Sequence, residues 1–96
     1  MSNDKKRPLF KLGQTVSTPG CLAAFQKNGT SGIEFLARHV TGDWGDICDD
    51  DKKVNDDAVK EGDRILSAYT LADGTKFWII TEGDRSVTTF LLPSEY

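Results

Sequence analysis

"RILSAYTLADGTKFWIITEGDRSVTTFLL", residues 64–92, decides the fold. Three runs inside it, 64–71, 76–82 and 86–92, are rich in β-branched and aromatic side chains, the types that fit a pleated, half-buried surface. Asp73-Gly74 between the first two is a hairpin signal, because both residues tolerate the positive φ of a tight turn. "EGDR", 82–85, joins the second pair, with Asp84 and Arg85 expected to form a local ion pair worth under ~1 kcal/mol. The segment therefore reads as a three-stranded antiparallel meander. Its middle run is apolar on both faces, Phe77 and Ile79 on one, Trp78 and Ile80 on the other. Helices on one side leave the second face bare, so either the N-terminal segment or a second copy, as a homodimer through the sheet, is expected to cover it.

Upstream of Gly62 the period is helical. "TPG", 18–20, opens a helix over 19–27, with Thr18 as N-cap and Pro19 where its missing N–H costs nothing. Leu22 and Phe25 supply its apolar face, and Asn28-Gly29 ends it. Ser31 and Glu34 form an S-x-x-E capping box before a helix over 32–40, whose stripe is Ile33, Leu36 and Val40. Gly42 stands just past its end. A third helix over 50–61 is capped by Asp49, led by Asp50 and Asp51 where the dipole favours negative charge, and closed by Gly62. Its apolar face is thin: Val54, Ala58 and Val59. "LFKLGQTV", 9–16, predicts a short strand with Phe10 and Leu12 on one face. The expected fold class is α+β: a short N-terminal strand and three helices packed on the meander. Ninety-six residues suffice for one domain, 9–96, after a flexible basic arm at 1–8.

Composition narrows the function. Hydrophobic residues make up 38% and charged residues 28%, which suits a folded soluble chain. No apolar run approaches the ~20 residues of a membrane helix, and the N-terminus lacks the apolar core of a secretory signal. Cys21 and Cys48 alone make no disulfide framework, so a cytoplasmic protein with reduced thiols and no membrane contact is expected. The net charge of −3 is unevenly spread: residues 43–63 hold nine Asp/Glu against three Lys/Arg, whereas 1–42 hold two against six. The acidic segment repels phosphates, and Lys5, Lys6 and Arg7 read as a solvated tail, so direct nucleic-acid binding is not expected. A basic protein partner is allowed.

"HVTGDWGDICDDD", 39–51, gathers the chain's lone His, a Trp, a Cys and five Asp. A calcium loop starting at Asp49 fails, because Lys53 and Val54 fall where a ligand and a Gly are required. Zinc would need Cys21, His39 and Cys48 to converge without any paired spacing. His39, in the last turn of a helix, reads as a cation favoured by the dipole. No nucleophile or nucleotide motif is present, so no catalytic residue, cofactor or metal is expected. Trp44 leaves two readings open. It is a wedge between the second and third helices with its indole N–H on a carboxylate or carbonyl, or an exposed anchor ringed by acids. The candidate partner-binding residues are Asp43, Trp44, Asp46, Asp49, Asp50 and Asp51.

The motifs F-L-x-R-H, G-D-W-G-D, L-S-A-Y, D-G-T-K-x-W-I-I-T-E, D-R-S-x-T-T and L-L-P-x-E-Y resemble a family of small bacterial proteins labelled plasmid-related. The resemblance covers about residues 9–96 and departs at "CDDDKK", where relatives tend to carry Glu among the acids. It implies a setting on plasmids and other mobile DNA more than a mechanism. The expectation is a non-enzymatic accessory protein of mobile DNA acting by protein–protein interaction. The alternative is an inhibitor of a host defence or restriction enzyme, its acids mimicking DNA; Lys52, Lys53 and Lys60 dilute that charge.

Overall fold

The computed structural model describes residues 7–96, so most of the arm expected at 1–8 lies outside the described residues. The chain runs β1 (Gln14–Ser17), α1 (Pro19–Lys27), α2 (Ile33–Val40), α3 (Asp49–Glu61), β2 (Ile65–Thr70), β3 (Lys76–Thr81) and β4 (Val87–Leu91). A 3-10 turn follows at Pro93–Glu95. The α+β class and the meander β2-β3-β4 are as the sequence implies. The sheet is larger than the meander, however. It has four strands in the order β1-β4-β3-β2, and β1 joins it parallel to β4, so the sheet is mixed. The first strand also starts at Gln14, not at residue 9.

One face of the sheet carries Ile65, Ser67 and Tyr69 of β2, Phe77, Ile79 and Thr81 of β3, and Thr88 and Phe90 of β4. Phe25 and Cys21 of α1 pack there with Tyr69, Phe77, Ile79 and Phe90. A second cluster joins Trp44, Ala58 and Ile65, with Phe10, Ile47 and Val59 at its margin. Between the two clusters, the register places Ser67, Thr81 and Thr88 in a polar strip.

The helices sit where the periodicity puts them, and Phe25, Leu36, Ala58 and Val59 of the expected faces pack inward, but one apolar residue of each helix does not. In α1, Cys21 and Phe25 are buried and Leu22 is exposed. In α2, His39 is buried and Ile33 is exposed; in α3, Asn55 and Ala58 are buried and Val54 is 61% exposed. The expected capping box is also replaced. Gly32 is the N-cap of α2, at φ 83, while the Thr30 hydroxyl accepts from the Gly32 N–H and donates to Glu34. A Cβ on Gly32 would stand 2.6 Å from the Phe25 ring, so close contact between α1 and this turn sets the backbone. Cys48, not Asp49, is the N-cap of α3, and Asp49, Asp50 and Asp51 form its first turn.

Nor do Asp84 and Arg85 pair. Asp84 accepts from the backbone N–H and hydroxyl of Ser86. Arg85, at φ 61, donates to the carbonyls of Ala58, Asp63 and Glu82 and lies 5.4 Å from the Phe10 ring centre. It thereby ties the end of α3 and the β3–β4 turn to the N-terminal segment.

The second face of the sheet is covered in part by the chain itself. Tyr96 stands edge-on to Trp78 at 5.6 Å, and its hydroxyl accepts from Arg64. Ile80 is 4% exposed and Trp78 half-buried. Of the described N-terminal residues, Phe10 packs on the helix side, against His39 and Trp44. Next to Tyr96, the Glu95 carboxylate accepts from the Gly20 N–H and the Thr18 hydroxyl, capping α1. These bonds hold the Glu95 carboxyl below its usual range.

Candidate functional site

The segment 39–51 is built by the end of α2. The Gly42 N–H reaches the His39 carbonyl and the Asp43 N–H reaches the Arg38 carbonyl, a Schellman closure that needs the left-handed Gly42. The turn brings Asp43 back to Arg38, whose guanidinium meets it through Nε at 2.7 Å and Nη2 at 3.3 Å. Arg38 also lies 4.7 Å from the Tyr69 ring centre, and the Tyr69 hydroxyl donates to the Asp43 carbonyl. Burial raises the Tyr69 phenol to about 12.

Trp44 then enters the core at 3% exposure, and its indole N–H donates to Asp56 of α3 at 3.0 Å. Of the two positions the sequence leaves open, the wedge is the one occupied. The Trp44 carbonyl accepts from the Ala68 N–H, and the Asp46 N–H donates to the Ala68 carbonyl. Gly45 lies against that strand so closely that a Cβ would sit 2.0 Å from the Ala68 carbonyl oxygen. Asp46 accepts from the Thr70 hydroxyl. One step along, the Asn55 side-chain amide donates to the Leu66 carbonyl and accepts from the Leu66 N–H, as a neighbouring strand would. The outer edge of β2 is therefore closed by Trp44, Asp46 and Asn55.

His39 is fully buried, with Nδ1 2.6 Å from the Ser67 hydroxyl and Nε2 2.9 Å from the Thr81 hydroxyl. Thr81 meets Thr88 at 2.8 Å, and Thr88 donates to the Leu12 carbonyl at 2.7 Å. That carbonyl can only accept, which orients every proton in the chain. Thr88 spends its hydrogen on Leu12, so Thr81 donates to Thr88, His39 donates from Nε2 to Thr81, and Ser67 donates to Nδ1. The ring is neutral, with its pKa lowered to about 3 by burial. The helix-end cation expected from the sequence is replaced by a neutral core histidine, because the last turn of α2 faces the sheet. Both ring nitrogens are engaged, so a zinc ligand role does not fit. Among the described residues no group of three or more His, Cys, Asp or Glu side chains is placed to hold a metal ion. Burial raises the Cys21 thiol to about 11, while Cys48 is exposed.

The six candidate partner-binding residues thus divide. Asp43, Trp44 and Asp46 make internal bonds that shape the turn and close β2. Asp49, Asp50 and Asp51 are exposed along the start of α3. Beside them lies a groove of about 230 Å³ between α3 and β2, lined by Ile47, Asp51, Val54, Asn55, Arg64 and Leu66. Among the described residues no helix is long and apolar enough to cross a membrane. Sequence reasoning missed Asn55, Arg85, Glu95 and the hydroxyl strip. The signals present were an Asn inside a helix, where it is a poor former, and Thr at inward strand positions. Comparison with protein-family models, curated proteins and solved structures found no match.

Proposed function

We propose that the chain is a non-enzymatic accessory protein of mobile DNA that works in the cytoplasm by protein–protein interaction, through the acidic outer face of α3. The setting rests on the sequence resemblance alone. The interaction reading is supported by one observation above all. Asp49, Asp50, Asp51, Asp57 and Glu61 are exposed along a single 13-residue helix. The acids nearer Trp44 are tied into the turn, so the acidic face begins at α3. A field of that sign draws a basic surface and speeds its encounter.

The test is affinity capture from the native host, read by mass spectrometry at low and high salt. A basic protein is expected at low salt and lost at high salt, because screening weakens exposed charge pairs. The variant Asp50→Lys plus Asp51→Lys is expected to lose it. Capture by that variant equal to the parent chain would overturn the proposal.

A further inference from the structure

Val54 is the odd residue of α3. A β-branched side chain lowers helix stability slightly, and burial normally offsets that cost. Here burial offsets nothing, since Val54 is 61% exposed. It lines the groove together with Ile47, Leu66 and Asn55, and with Asp51 and Arg64. Helical spacing sets Asp50, Asp57 and Glu61 on the flank of Val54 at i−4, i+3 and i+7, an acid-rich rail beside an apolar slot, with Lys53 and Lys60 on the edge of the rail away from the slot. Arg64 does not cancel that rail, because its guanidinium is already engaged by Glu82 and by the Tyr96 hydroxyl.

Size and charge select the occupant. Enclosed sites for whole small molecules run to roughly 300–1,000 Å³, so an open slot of about 230 Å³ suits one large side chain better than a cofactor. A second copy docked two-fold here would bring together two α3 helices that each carry six acids against Lys52, Lys53 and Lys60. The closed edge of β2 rules out strand addition at the slot. We propose that this groove docks a basic segment of a partner protein, one large apolar side chain entering between Val54 and Leu66 with Lys or Arg flanking it along α3. This rests on the interaction reading above and adds the site and the chemistry of the bound segment.

Three labelled peptides test it: one with Leu flanked by Lys and Arg, one with that Leu replaced by Ser, and one with the cations replaced by Glu. Binding is followed by fluorescence anisotropy and mapped by amide chemical shifts. The first peptide is expected to bind and to shift Ile47, Val54 and Leu66, and the other two to lose at least ~tenfold. Val54→Asp discriminates further, because the site is exposed and the fold should tolerate it. The variant removes the apolar wall and adds a negative charge, so a groove loses at least ~tenfold whereas attraction by charge alone tightens. Unchanged or tighter binding to Val54→Asp overturns the groove. If Asp50→Lys plus Asp57→Lys then abolishes binding, the acidic-face reading survives without it. No binding of the first peptide, or shifts confined to β1, overturns the groove as well. A dimer through α3 in sedimentation would name the second copy as occupant and likewise overturn it.

Discussion

Acid acts on His39 through the unfolded chain. The folded ring stays neutral down to about 3, while an unfolded histidine takes its proton near ~6.5. Between those values the unfolded state binds more protons, so stability is full above ~6.5 and falls as pH drops toward 3. The total is roughly 3–5 kcal/mol. Glu95 acts in the same direction lower down: its carboxyl is depressed in the fold, so its contribution is present above the ordinary carboxylate value and lost as pH falls through the folded one. Denaturant titrations from pH 7 to pH 4 should show the slope, and His39→Gln should be less stable at pH 7 but markedly flatter with pH. An equal slope in the variant would mean that other groups carry the acid sensitivity. None of this follows from position in sequence. A histidine in the last turn of a helix looks like a dipole cation until the sheet that faces it is known.

At the scale of elements, glycines separate steric cost from backbone cost. Gly45 and Gly62 have nearly the same φ, 77 and 78, but a Cβ on Gly62 meets nothing within 4 Å. Gly62→Ala should cost about 1 kcal/mol, from the left-handed backbone alone. Gly45→Ala must also push the Ala68 carbonyl, and should cost at least ~2 kcal/mol more and loosen the outer edge of β2. Chemical denaturation gives the difference, and hydrogen exchange at Ala68 gives the place. Much of the element pattern was legible. The change from helical to alternating period at Gly62, the Thr18-Pro19 start and the glycine stops are local signals, and they set boundaries within a few residues. The buried face of each helix was legible only in part: Phe25 and Ala58 are buried as expected, while Leu22, Ile33 and Val54 are exposed. Short helices with two or three apolar residues leave their rotation undecided, and α3 is turned by the needs of the Leu66 backbone, which only a buried Asn55 meets. The candidate site was legible in part for the same reason. The acids announce themselves, but which of them are spent on the turn depends on Arg38, Thr70 and Ala68.

Across the whole molecule, the two ends of the described chain brace the sheet from opposite sides. Phe10 seals the helix side, and Tyr96 leans on Trp78 on the other. Tyr96→Ala should uncover Trp78 and leave Trp44 untouched, so tryptophan emission should shift to the red with a stability loss of about 1 kcal/mol. Emission unchanged from the parent would mean that Tyr96 does not shield the ring in solution. The pairing of β1 with β4 could not be read from the sequence. Gln14 and Val87 are partners across most of the chain, and no local pattern links them.

The closed outer edge of β2 has a further consequence. The opposite border of the sheet is β1, whose Gln14 and Thr18 N–H groups turn toward β4, so the alternation sends those of Thr15 and Ser17 outward. A sheet with one border stoppered and only the other carrying outward N–H groups cannot polymerise by strand addition. Two copies joined at β1 would have nowhere left to add a third, so edge-to-edge association is self-limiting at a pair, even when the protein is crowded.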